Sequence, residues 1–216
     1  MWCFPFWVIG ERLGGLVNSV AWVKENGLGF EFADVNLQPH RLTASGIAIG
    51  AAPIAHRVDY KLETLDDFIT SGLFVTTRGE GWSRTLDLRR ATSGKWSIRT
   101  KGEGFLALPD PGGAVADFAE ALDCDLALSP LTNSMPVLRH RMLDGGGPVD
   151  FLMAWVSLPD LAVYASGQRY TFVRKTDKAS VIRYETRDGG FTSDVTFDEE
   201  GLVVDYPKLG RRLAAR

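Results

Sequence analysis

The stretch "HRVDYKLET", His56 to Thr64, passes from apolar to charged and back at nearly every step. Val58, Tyr60 and Leu62 fall on one side of an extended chain, and Arg57, Asp59, Lys61 and Glu63 on the other. A period of two fits a half-buried strand and no helix. "RTLDLRRA" repeats it with Leu86 and Leu88 inside, and "SVIRYETR" sets Ile182 and Tyr184 against Val181, Arg183 and Glu185. "GFTSDVTFD" sets Phe191, Val195 and Phe197 against Thr192, Asp194 and Thr196. Less regular stretches of the same kind cover 20–23, 28–37, 42–49, 73–77, 95–99, 124–128, 149–157, 169–174 and 202–206.

The punctuation between these runs is that of hairpins. Asn26-Gly27 in "ENGL", "TSGK", "RDGG" and the longer "DEEG" all supply turn glycines, so each links antiparallel neighbours. One short helix is expected in "GGAVADFAEALDCD", where Val115, Phe118, Ala119 and Leu122 recur at helical spacing. So many strands with polar outer faces need closure or a second layer to hide their edges. The expected fold is therefore mainly β: an antiparallel barrel-like or strongly curved sheet with one short helix. At 216 residues, with 45% hydrophobic content and no linker of shifted composition, 19–216 reads as a single β-rich domain.

The start, "MWCFPFWVIG", is apolar, but no Lys or Arg precedes it and Glu11-Arg12 ends it at about half of a membrane span. Residues 1–18 read as an atypical N-terminal extension, with no transmembrane segment. Two cysteines, Cys3 and Cys124, make no disulfide framework and no CxxC pair, which points to a reduced, cytoplasmic protein. A net charge of −3 without a basic patch gives no reason to expect nucleic acid.

Catalytic and cofactor signatures are sparse. His40, His56 and His140 are far apart, with no HExxH or Cys/His cluster, so no metal is expected; His56 reads as a surface or sheet-edge residue. No G-x-S-x-G elbow occurs, and Cys124 lies between Asp123 and Asp125, which disfavour its thiolate. "LDGGGP" runs into Pro148 and a strand, not into a helix that could cradle a phosphate, so no cofactor is expected. The chain points away from an enzyme without deciding the matter.

"SPLTNSMPVLRHR" interrupts the alternation. Pro130 and Pro136 favour extended predecessors, Asn133 suits a turn, and Thr132 can bond nearby backbone, which together read as a rigid corner. If the segment behind it is extended, Arg139 and Arg141 share one face. They then form either an anion clamp or a solvated face paired to neighbouring strands.

Three blocks carry a resemblance: "DCDLALSPLTNSMPVLRH", "FLMAWVSLPDLAVYASGQRYTF" and "VIRYETRDGGFTSDVTFDEEGLVVDYPKLGRRL". In order and spacing they resemble a bacterial family of unknown function described as putative glycolipid-binding proteins. The likeness is strongest from Cys124 to Leu213 and is traceable back to "SVAWVKENGLGFEFADVNL". The matching positions are Asp125, Pro130, Leu131, Thr132, Asn133 and Pro136, then Trp155, Pro159 and Tyr170, then Asp194, Asp205, Tyr206 and Pro207. The resemblance implies a single-domain barrel-like antiparallel fold, likened to bacterial carriers of lipidated molecules, and brings no catalytic residues.

Three readings follow. The preferred one is a non-catalytic binder of a glycolipid or other amphiphilic small molecule, held in the interior of the curved sheet. Trp155, Tyr170, Tyr184 and Tyr206 would line the walls, and Thr132, Asn133, Arg139 and Arg141 would orient the head group. The alternatives are an enzyme acting on a sugar or lipid conjugate, and a structural or partner-binding protein with a solid core.

Overall fold

The computed structural model describes residues 16–27 and 29–213. Its strands fall into two meanders of seven. The first comprises β1 (Leu16–Lys24), β2 (Gly29–Leu37), β3 (Leu42–Gly50), β4 (His56–Thr64), β5 (Thr70–Gly79), β6 (Trp82–Arg90) and β7 (Trp96–Gly104). The second comprises β8 (Asp123–Leu126), β9 (Val149–Val156), β10 (Val163–Lys175), β11 (Ser180–Thr186), β12 (Thr192–Phe197), β13 (Val203–Tyr206) and β14 (Gly210–Arg212). Pairing of β1 with β14 joins the meanders into one strongly curved, open sheet of 14 strands, with β7 and β8 at its edges. Every pairing is antiparallel except β8 with β9.

Alternation fixes the register as expected. In β4 the side chains of Val58, Tyr60 and Leu62 are buried, and Leu86 and Leu88 of β6 join them on the concave side. Gly46 in β3 leaves room beside Tyr60, because a Cβ there would overlap the Tyr60 ring. The Asn-Gly turn is realised as a short 3-10 turn, Glu25–Gly27, with Gly27 at φ +65°. Of the segment expected as an extension, Leu16–Asn18 belong to β1, and residues 1–15 lie outside the described ones.

The helix is not where the spacing predicted it. "GGAVADFAEALDCD" forms only a 3-10 turn, Val115–Phe118, and the chain's α-helix, α1, is Ser134–Arg139. Burial overrides propensity here, since every residue from Ser129 to Val137 is buried. Pro136 is tolerated because it falls in the first turn, where its missing N–H removes no helical bond.

The "SPLTNSMP" segment is therefore not a surface corner. With Phe118, Ala121, Cys124 and Leu126 it threads the concave side of the sheet and forms its core with Trp22, Leu73 and Leu86. A second cluster, under β10 to β13, packs Val137 and Met142 against Tyr170, Tyr184 and Tyr206. No helix among the described residues is long and apolar enough to cross a membrane.

Candidate functional site

The threaded connection does not fill the concave side completely. Two neighbouring voids remain, and they share the strip Leu126–Ser129 together with Leu158, Lys208 and Leu209. The larger, a cleft of about 390 Å³, is lined by Asp125, Asn133, Trp155, Tyr184, Phe191 and Tyr206 among others. The smaller, a cavity of about 150 Å³, lies at the rim formed by the ends of β1 and β3 and the start of β4.

Strand register builds the cleft. Parallel pairing of β8 with β9 sets Asp125 beside Trp155. Antiparallel pairing of β10 with β11 sets Tyr170 beside Tyr184. From there the aromatic rings continue: Tyr170 to Tyr184 at 5.4 Å, and Tyr184 to Phe191 and to Tyr206 at 5.9 Å each. Tyr184 and Tyr206 are 7% and 4% exposed, yet no described residue hydrogen-bonds either hydroxyl. Burial raises the pKa of both, and both remain neutral donors.

Asp125 is the carboxylate of the cleft. Its Oδ1 accepts from Thr132 Oγ1 at 2.8 Å and its Oδ2 from Gln168 Nε2 at 2.7 Å. No salt bridge reaches it among the described residues. Burial pushes its pKa up, and the Gln168 and Thr132 bonds pull it partly back. Lys208 stands at the mouth, its Nζ 5.3 Å from the centre of the Phe191 ring.

Of the eight residues singled out from the sequence, Asn133, Trp155, Tyr184 and Tyr206 line this cleft. Thr132 and Tyr170 stand behind its wall: Thr132 holds Asp125, and Tyr170 donates to Asn133 Oδ1 at 2.8 Å. Asn133 in turn donates to the carbonyls of Ser129 and Pro130, so the buried turn is tied to itself and to β10. The two arginines lie elsewhere. The segment is helical rather than extended, so they share no strand face. Arg139 makes a bidentate pair with buried Asp123, and Arg141 is exposed beyond the helix end. The extended face on which either an anion clamp or a solvated, ion-paired surface depended is absent.

Sequence reasoning missed the residues of the smaller cavity. In "FEF" of β2 the usual sense is inverted, with Phe30 and Phe32 outside and Glu31 only 2% exposed inside. Glu31 Oε2 accepts from Lys24 Nζ at 2.6 Å, and Oε1 accepts from Tyr60 at 2.8 Å and Ser129 at 2.6 Å. Lys24 also donates to the Leu128 carbonyl. His56, read as a surface or edge residue, is buried and lines this cavity. The faint signal was a strand whose apolar pair flanks a lone acid. No group of three or more His, Cys, Asp or Glu side chains is placed to hold a metal among the described residues.

The fold matches the crystal structure of a DUF1089 family protein from Pseudomonas aeruginosa at a TM-score of 0.64. The two are 23% identical, over 97% of this chain and 100% of that one, a likeness that speaks for the fold alone. No curated protein matches the chain. The family described as "Putative glycolipid-binding" matches residues 19–212, and to that family the chain belongs.

Proposed function

We propose that the chain binds an amphiphile with a hydroxyl-rich head, a glycolipid being the class its family name suggests. The head sits in the aromatic cleft and the apolar part in the adjoining cavity. One observation carries the reading: Tyr184 and Tyr206, whose hydroxyls bond no described residue, line the cleft together with Trp155 and Asn133. Neither hydroxyl is sealed from solvent, so a ligand hydroxyl takes over a hydrogen bond otherwise made to water. Ring faces of Trp155, Tyr184 and Tyr206 suit a sugar's apolar face, and Asp125 accepts from its hydroxyls.

A void of about 150 Å³ takes a group of about six carbons. At about 0.8 kcal/mol per buried methylene that supplies about 5 kcal/mol, before the costs of association. The setting we propose is the bacterial cytoplasm, where buried Cys124 stays a thiol.

The test is calorimetric titration with octyl β-glucoside. Wild type binds, and Trp155→Ala loses about tenfold in affinity, or about 1.4 kcal/mol, while keeping its fold. Unchanged affinity in a folded variant removes Trp155 from the site, and absence of binding in wild type overturns the proposal.

A second reading has one observation in its favour: Asp125, its pKa raised by burial, suits a general acid. Glycoside hydrolysis ordinarily needs a second carboxyl at a set distance, and among the described residues Asp125 is the only carboxyl lining the cleft. Release of nitrophenol from a nitrophenyl glycoside would favour the enzyme over the binder.

A further inference from the structure

The smaller cavity holds a polar feature that an alkyl group alone leaves unanswered. Nδ1 of His56 lies 2.8 Å from the carbonyl oxygen of Ile54. A carbonyl only accepts, so Nδ1 carries the proton and Nε2 presents its lone pair. His56 is 7% exposed and lines the cavity, and no described residue donates to Nε2. Opposite it, Gly50 keeps the imidazole edge uncovered, since a Cβ at Gly50 would lie 2.7 Å from Nε2.

Four of the other polar groups here are engaged with one another. Tyr60 and Ser129 direct their hydroxyls to Glu31, and Lys24 neutralises it. What remains is a wall with an acceptor on offer, set among Ala48, Val58, Leu126 and Leu158. A carboxylate or phosphate brings no proton to it. A plain alkyl group strands the Nε2 lone pair away from water.

We propose that this cavity recognises a hydroxyl carried on an apolar segment of the ligand, with the hydroxyl donating to His56 Nε2. The inference rests on the binding function proposed above and narrows its apolar part to a hydroxyalkyl group.

The experiment follows the imidazole nitrogens of the intact protein by NMR during titration with 1-hexanol, with 1-fluorohexane as the control of similar shape that cannot donate. His56 Nε2 moves upfield with 1-hexanol and not with 1-fluorohexane. His56→Phe weakens 1-hexanol binding about fivefold or more and leaves 1-fluorohexane binding as tight or tighter. The wild-type measurement stands even if that variant fails to fold. A His56 signal unmoved by 1-hexanol overturns the inference, whatever octyl β-glucoside does. A Trp155 indole signal unmoved by octyl β-glucoside overturns the reading of the cleft instead.

Discussion

Replacing Arg139 by Met keeps the hydrocarbon stem and removes the charge that answers Asp123. The two side chains are 9% and 1% exposed, so water cannot take over for the lost guanidinium. Breaking a buried pair from one side costs about 3–5 kcal/mol. The fields of His140 and Arg90 still reach Asp123, which places this case near the lower end, at about 3 kcal/mol. Burial already raises the Asp123 pKa against the pull of Arg139, and Arg139→Met lifts it further.

The folded chain then holds a proton on Asp123 at pH values where the unfolded chain has lost it. Stability falls as pH rises between the unfolded and folded pKa values. The penalty is full above the folded value and absent below the unfolded one. In urea melts followed by Trp fluorescence, Arg139→Met lowers the midpoint by about 1 M near neutral pH, taking a slope of about 3 kcal/mol/M. The gap from wild type narrows toward about pH 5. Adding Asp123→Leu recovers most of the loss. A cost below about 1 kcal/mol, as for an exposed pair, would refute the argument, and so would a gap that widens on acidification.

Tyr170→Phe strands Asn133 Oδ1 inside the threaded turn, and its urea midpoint reports a loss of about 1–3 kcal/mol. Because Tyr170 stands behind the cleft wall, octyl β-glucoside affinity changes far less than in Trp155→Ala. Gly46→Ala drives a methyl group into the Tyr60 ring, which Glu31 holds in place; thermal melts report a loss of about 1–3 kcal/mol, and a neutral outcome would show that the ring can yield.

The strands were legible because one face of each is buried. In "HRVDYKLET" and "RTLDLRRA" the solvent boundary is written into alternate residues. The inversion at Glu31 was not, since nothing local reveals that Lys24, Tyr60 and Ser129 wait inside, the last of them 98 positions away. Asn133, Trp155, Tyr184 and Tyr206 could be named in advance as aromatic or amide groups, but their shared cleft is made by β9, β11, β13 and the threaded turn coming together. The shared arginine face required "VLRHR" to be extended, and it is not. Its helicity comes from burial on both sides of α1, a tertiary property absent from the spacing of its residues.

Among the described residues the ladder joining the two meanders pairs Trp22 with Arg212, Val23 with Arg211 and Lys24 with Gly210. Lys24, Lys208 and Leu209, at the end of that ladder, also bound both voids or the smaller of them. The seam that joins the two meanders is therefore also a border of both voids.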